Sequence, residues 1–216
     1  MDVNHALQTF AIYALPVLFA ITLHEAAHGY VARHFGDMTA HAQGRISLNP
    51  LRHLDLVGTV LVPLAILFVS GGNFLFGWAK PVPVNYSALR KPRQHMAWVA
   101  AAGPAANLAM ALTWAALLKI ALLLPGGRAS EFLELVSQAG ILVNLIFMFL
   151  NLLPIPPLDG GRILTSLLPS RAAWRFAKIE PWGVPILLVL LFTNVLNGVL
   201  APLVDVSGAL IRAIVL

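Results

Sequence analysis

The sequence predicts an all-α polytopic membrane protein, a helical bundle of about five to six spans with a short re-entrant extended or β-like segment near residues 74–88. Three observations carry this prediction. Of the 216 residues 59% are hydrophobic and only 11% charged, with a mean hydropathy of +0.82, whereas soluble domains carry about 25% charged residues. Several runs approach the roughly 20 mostly apolar residues that a bilayer span requires. The basic residues collect in the short stretches between those runs, as cytoplasmic loops of membrane proteins do.

Taken in order, the apolar runs cover residues 6–31, 54–69, 96–124, 132–153 and 184–203. The N-terminus "MDVNHALQTF" lacks a basic n-region, and no small-residue cleavage site follows it, so the first run is expected to stay as a structural helix. The closing "SGALIRAIVL" is too short to span and is expected to lie in the interface or pack on the bundle. No long polar run, low-complexity tract or repeat interrupts the chain, which reads as one membrane-embedded domain over residues 1–216. With no cysteine, disulfides and Cys-based metal sites are excluded, and any metal must be held by His, Asp or Glu.

Orientation follows from the short loops. Arg33, Arg45 and Arg52, then Arg90, Lys91 and Arg93, then Arg162, Arg171, Arg175 and Lys178 mark three cytoplasmic clusters, while "PGGRASEFLE" holds Arg128 against Glu131 and Glu134 and is expected outside. The formal net charge of +5 therefore reads as membrane orientation, and no nucleic-acid partner is expected. Arg52 and Arg90 fall on one side with an apolar run between them, so the chain must enter the membrane and come back. Pro81 and Pro83 in "WAKPVPVNY" break helices and lack donors, which suggests a hairpin or edge strand. Irregular backbone at that depth is tolerated only where it is buried in protein or lines a watery cavity, so a cavity is expected.

The chemistry concentrates in "HEAAH". Residues four apart on a helix are offset by about 40°, so His24 and His28 share a face and can bind one ion, while Glu25 sits about 100° around, where it can reach the activated water as a general base without being a ligand. The alternative is a pair of satisfied core histidines. Ionisable residues inside a membrane are functional by default, and three within five positions have no common structural reason. Counting about 1.5 Å per residue from Ala6, His24 lies about 27 Å along its helix, near the cytoplasmic face.

A catalytic zinc takes three protein ligands and an open position. His34, His41, His53 and His95 sit among basic loop residues and are expected to be solvated; His5 is at the far end of the first helix. Asp55 starts a span on the correct side, though an N-cap explains it equally well. Asp159 in "NLLPIPPLDGGRI" is the better candidate, because Pro154, Pro156 and Pro157 end the preceding helix and Gly160 and Gly161 permit a sharp turn back into the bundle. An Asp-Gly turn at the water boundary is the competing account.

"HEAAH" on one span, "AGPAANLAM" opening the next and "NLLPIPPLDGG" closing a third, in that order, resemble the site-2 proteases, zinc metalloproteases that cleave within membranes. The likeness runs from His24 to Arg162, and "SLNPLRHLD" and "FGWAKPVPVN" are similar to the compact bacterial members without PDZ or CBS domains. The resemblance implies one Zn2+ held by His24, His28 and Asp159, with Glu25 as catalytic base. It implies a catalytic core over about residues 6–162, with C-terminal helices from about 163 to 216.

Asn107 in "GPAAN" has two readings: it holds the substrate carbonyl or steadies the oxyanion, or it makes helix-to-helix hydrogen bonds beside Gly103 and Ala106. Asn144 and Asn151 share a helical face, with Asn151 closer to the site. Val82, Val84 and Asn85 are candidate substrate-binding residues, because an unwound transmembrane substrate could add as a strand along that edge. Trp78 and Trp98 are expected as interfacial anchors, and Lys80 as a contact to lipid phosphate. The function expected is an intramembrane zinc endopeptidase, multi-pass in the inner (plasma) membrane, with its site near the cytoplasmic side. Its substrate would be a single-span membrane protein or a signal-peptide remnant. The alternatives are a membrane metal-binding protein or transporter, which would need a polar pathway across several spans, and a catalytically silent scaffold.

Overall fold

Helix α1, Val3–His34, carries the histidine motif and packs against both α3, Pro92–Leu123, and α4, Arg128–Leu152. The structure, a computed structural model, describes residues 3–62, 65, 68 and 79–215. Its other helices are the short α2, Thr39–Ala42, then α5, Asp159–Leu167, α6, Ser170–Ala177, α7, Gly183–Phe192, and α8, Val195–Val215. Among the described residues, four stretches are long and apolar enough to cross a membrane: Leu7–His34, Pro92–Leu123, Arg128–Leu152 and Val195–Val215. Even the shortest, of 21 residues, extends about 32 Å at 1.5 Å per residue, enough for a hydrocarbon core of about 30 Å. This is an all-α polytopic membrane protein.

The bundle closes on small residues. Gly140 of α4 lies under the indole of Trp114 of α3, so closely that a Cβ there would meet ring carbons at 2.3 Å. Ala111 and Ala115 clear the rest of that contact, and Leu118, Val136, Ile141, Leu145 and Met148 fill it, joined by Val204 and Ile211 of α8. Lipid tails are as apolar as leucine, so helices in a bilayer associate through close packing, and small residues let their backbones approach. The outward faces are correspondingly apolar: Phe10 is 72% exposed, Leu123 77% and Ile214 78%.

The chain departs from its hydropathy profile near the C-terminus. The apolar run expected at 184–203 is broken after Phe192, where Asn194 takes a left-handed φ of 60°, a conformation that Asn tolerates better than most residues. A new helix starts at Val195, and residues 207–215 of "SGALIRAIVL", expected to be too short to span, form the second half of α8. Lys119 of α3 ties its end by donating to the Val215 carbonyl at 2.7 Å. Hydropathy is continuous across residues 184–215, and the backbone turn at Asn194 sets the boundary.

The expected span at 54–69 is described only in part. Asp55 caps its start by accepting from the Gly58 N–H at 2.6 Å, and Leu56–Leu61 is wound as a π-helix; positions 63, 64, 66, 67 and 69 lie outside the described residues. The same holds for residues 74–78 of the expected re-entrant segment, Trp78 included. Residues 79–85 are non-helical, and no strand forms among the described residues. Pro81 and Pro83 have no N–H to offer a ladder. The chain is strapped down instead: the Lys80 N–H donates to His53 O at 2.8 Å, Arg45 donates to the carbonyls of Lys80 and Pro81 at 3.1 and 3.2 Å, and the Asn85 N–H donates to Asp37 at 2.7 Å. His53, expected in solvent, is 1% exposed with its Nε2 donating to Ser47 O at 2.8 Å; it anchors the strap. Trp98 is 65% exposed and Lys80 is also exposed, as lipid-facing anchors would be.

Gly140→Ala should separate α3 from α4 and destabilise the bundle by about 1–3 kcal/mol, the range for overpacking. Thermal unfolding in detergent reads this as a lowered Tm, and an unchanged Tm would contradict the Trp114 contact.

Candidate active site

Three side chains from two distant parts of the sequence converge between α1, α3 and α5. His24 Nε2 lies 3.1 Å from His28 Nε2, and Asp159 Oδ2 lies 3.2 Å from the first and 3.3 Å from the second. All three residues are buried. Hydrogen-bond partners on the far side of each ring define the protonation. His24 Nδ1 meets Asn107 Oδ1 at 2.7 Å and His28 Nδ1 meets the Val99 carbonyl at 2.7 Å. Both oxygens can only accept, so both Nδ1 atoms carry protons and the neutral rings turn their Nε2 lone pairs toward one point.

Two lone pairs and a carboxylate facing one another at about 3 Å repel unless a cation lies between them. Asp159 Oδ2 is buried and has no hydrogen-bond partner, as an oxygen reserved for a metal would be. Ligands about 2.0–2.1 Å from a tetrahedral ion are separated by about 3.3 Å, which matches the three measured edges. The donor set, two imidazoles and one carboxylate, suits zinc.

Local sequence explains how the ligands arrive. Gly103 brings the α3 backbone against both rings: a Cβ there would sit 2.5 Å from His24 Cε1 and His28 Nε2. Asp159 opens α5 directly after the proline turn. Gly161 and Gly183 accept the close approach of the Ile155–Pro157 backbone, which a side chain at either position would prevent.

Glu25 lies in the same pocket, of about 340 Å³, lined also by Pro81, Val82, Pro83, Val84, Tyr86, Asn151, Leu158 and Arg162. Its Oε2 accepts the Val82 N–H at 2.7 Å, so the strap holds the carboxylate in place. Of the sequence candidates, His24, Glu25, His28, Asp159, Val82 and Val84 are brought together. Asn107 is not in the lining: it is fully buried, accepts from His24, and spends its amide on Ala20 O at 3.2 Å and Asn144 Oδ1 at 3.0 Å. It stands behind the ligand, in the helix-to-helix arrangement. Asn85 is also outside, its side chain accepting from the Ser87 N–H at 3.1 Å. Asp55 serves as an N-cap. Tyr86 and Arg162 were not singled out as pocket residues by sequence, although the spacing from Asp159 to Arg162, three residues on a helix, places both on one face.

Gly103→Ala should abolish metal retention, because its methyl group occupies the space beside both Nε2 atoms. Metal content of the purified variant measures this, and full occupancy would rule out the ligand assignment.

The sequence model of peptidase family M50 matches residues 120–193. A Bacillus subtilis protein named "Putative zinc metalloprotease YwhC" is 38% identical over 194 residues, covering 88% of this chain and 84% of the relative. Two relatives named in the same words as Rip2 are each 32% identical, one from Mycolicibacterium smegmatis over 83% of this chain and 66% of its own length, the other from Mycobacterium tuberculosis strain H37Rv over 88% and 72%. No solved structure matches. With its helical membrane-spanning fold and its buried His-His-Asp centre, the chain belongs to peptidase family M50, the site-2 proteases.

Proposed function

We propose that the protein is an intramembrane zinc metalloendopeptidase that hydrolyses peptide bonds in membrane-protein substrates, with His24, His28 and Asp159 as zinc ligands and Glu25 as general base. One observation carries this reading: three lone-pair donors meet at a buried point in the same pocket as an unligated glutamate. Family membership and the names of the relatives support both the activity and the zinc. When bound, zinc acidifies the attacking water and polarises the scissile carbonyl.

The chain's own groups do the rest. Asn107 and Val99 hold the two imidazoles in the tautomer that presents Nε2, a positioning role that also raises ligand basicity. Glu25, steadied through Oε2 by the Val82 N–H, keeps Oε1 to take a proton from water and later return it to the leaving amine. Val82 and Val84 form one wall, along which an unwound substrate can lie extended. The substrate is a single-span protein or a signal-peptide remnant. We place the pocket near the cytoplasmic face of the inner membrane, because basic residues gather at the same helix ends: Arg90 donates to His34 O at 2.7 Å, and Arg93 caps α5 through the carbonyls of Ser166, Leu167 and Leu168. The unit is a single domain, with its core over about residues 6–162 and further helices over about 163–216. A transporter is not favoured, because the one metal-ligand cluster among the described residues is a single triad at one pocket.

Glu25→Gln should retain one zinc per chain and lose about 10²–10⁴-fold in cleavage of a transmembrane substrate; cleavage at the original rate would refute the base. Asn107→Ala should weaken zinc binding by about 10–100-fold, with cleavage largely restored by added zinc. A rate deficit that persists at saturating zinc would return Asn107 to the oxyanion.

A further inference from the structure

The pocket contains one cation among the described residues, and the mechanism above does not use it. Arg162 lies one turn after Asp159 on α5 and lines the pocket together with Tyr86. Its guanidinium stands over the Tyr86 ring, 5.2 Å from the centroid. The only ion pair it makes among the described residues is with Glu180, at 3.7 Å, and both partners are substantially exposed, Arg162 at 35% and Glu180 at 51%. Such a pair contributes little. Five donors in a planar fork are thus held in position by an aromatic face and only loosely engaged by a carboxylate outside the pocket. Burial pushes the Tyr86 phenol up, the neighbouring Arg162 opposing it, so the hydroxyl beside the guanidinium remains a neutral donor.

We propose that Arg162, seated on Tyr86, is a specificity residue that binds a carboxylate of the substrate close to the scissile bond. The proposal rests on the zinc-protease reading of the same pocket. A guanidinium recognises a carboxylate through two parallel hydrogen bonds, and at this site the substrate group would displace the long contact to Glu180. One helical turn, about 5.4 Å, separates Arg162 from Asp159, so with an extended substrate rising about 3.3 Å per residue the carboxylate belongs about one or two residues from the cleaved bond. Two sources carry that chemistry: an Asp or Glu side chain in a membrane-protein substrate, or the terminal carboxylate of a peptide remnant.

The test uses the full-length protein in detergent or liposomes, with zinc added, and compares kcat/KM for matched substrates. One arm places Asp or Asn singly at each of three positions on either side of the scissile bond; the other uses a peptide ending one or two residues beyond the bond, as free acid or as amide. The expected result is a preference of tenfold or more for the carboxylate in at least one arm, which identifies the source. Arg162→Gln should reduce the ratio to within about twofold of unity, whatever its absolute rate, and Glu180→Gln, which removes the competing carboxylate, should widen it. Should Arg162→Gln not fold, the Glu180→Gln ratio decides. Cleavage of the neutral substrates with no preference in the wild-type protein, or a preference that survives Arg162→Gln, overturns the assignment of Arg162 and leaves the protease intact. Zinc binding without cleavage of any substrate overturns both.

Discussion

Everything around the centre depends on two imidazoles being held with their lone pairs facing a buried carboxylate. That arrangement is unfavourable by itself, since the three atoms repel at the distances observed and the low dielectric of a helical bundle strengthens the repulsion. It persists because each ring is fixed from behind. Asn107 and the Val99 carbonyl take the Nδ1 protons, and α3 is brought close enough to do so by Gly103. A cation then turns the repulsion into ligation, and metal binding becomes part of what stabilises the native packing.

The same economy runs through the packing. Gly140 admits Trp114, and Gly161 and Gly183 admit the proline turn that delivers Asp159. A bilayer offers helices no hydrophobic gain for meeting one another, so the close approaches that build the site rely on missing side chains. Around the pocket, polar groups tie the strap down: Arg45, His53 and Asp37 bind the backbone of residues 80–85, and Val82 in turn binds Glu25. The strap and Glu25 are thereby one mechanical unit, and displacement of the strap would also release the carboxylate.

His53 and the C-terminal helix depart from the sequence expectation for physical reasons. His53 has basic neighbours and looks solvated, but it is buried because its backbone and ring both serve the strap, a tertiary arrangement with no periodic trace. The C-terminal decapeptide looked too short because hydropathy cannot register a single left-handed residue, Asn194, inside a continuously apolar run. Asn107 was legible as an important polar residue in a span, but its direction was not: an amide on a helix can face the pocket or the back of a ligand, and only the position of His24 distinguishes the two.

The amino-acid sequence alone determined the membrane environment, through the scarcity of charge over long apolar runs. It also determined the pairing of His24 with His28 and the offset of Glu25, because helical periodicity places residues one and four apart without reference to any neighbour. Only the tertiary structure decided that Asp159, rather than Asp55, completes the triad, that Asn107 orients His24, and that Arg162 shares the pocket with Glu25. Those relations join residues dozens of positions apart. They depend on how closely α1, α3 and α5 approach, and that approach is set by side chains absent at Gly103 and Gly161 rather than by any pattern along the chain.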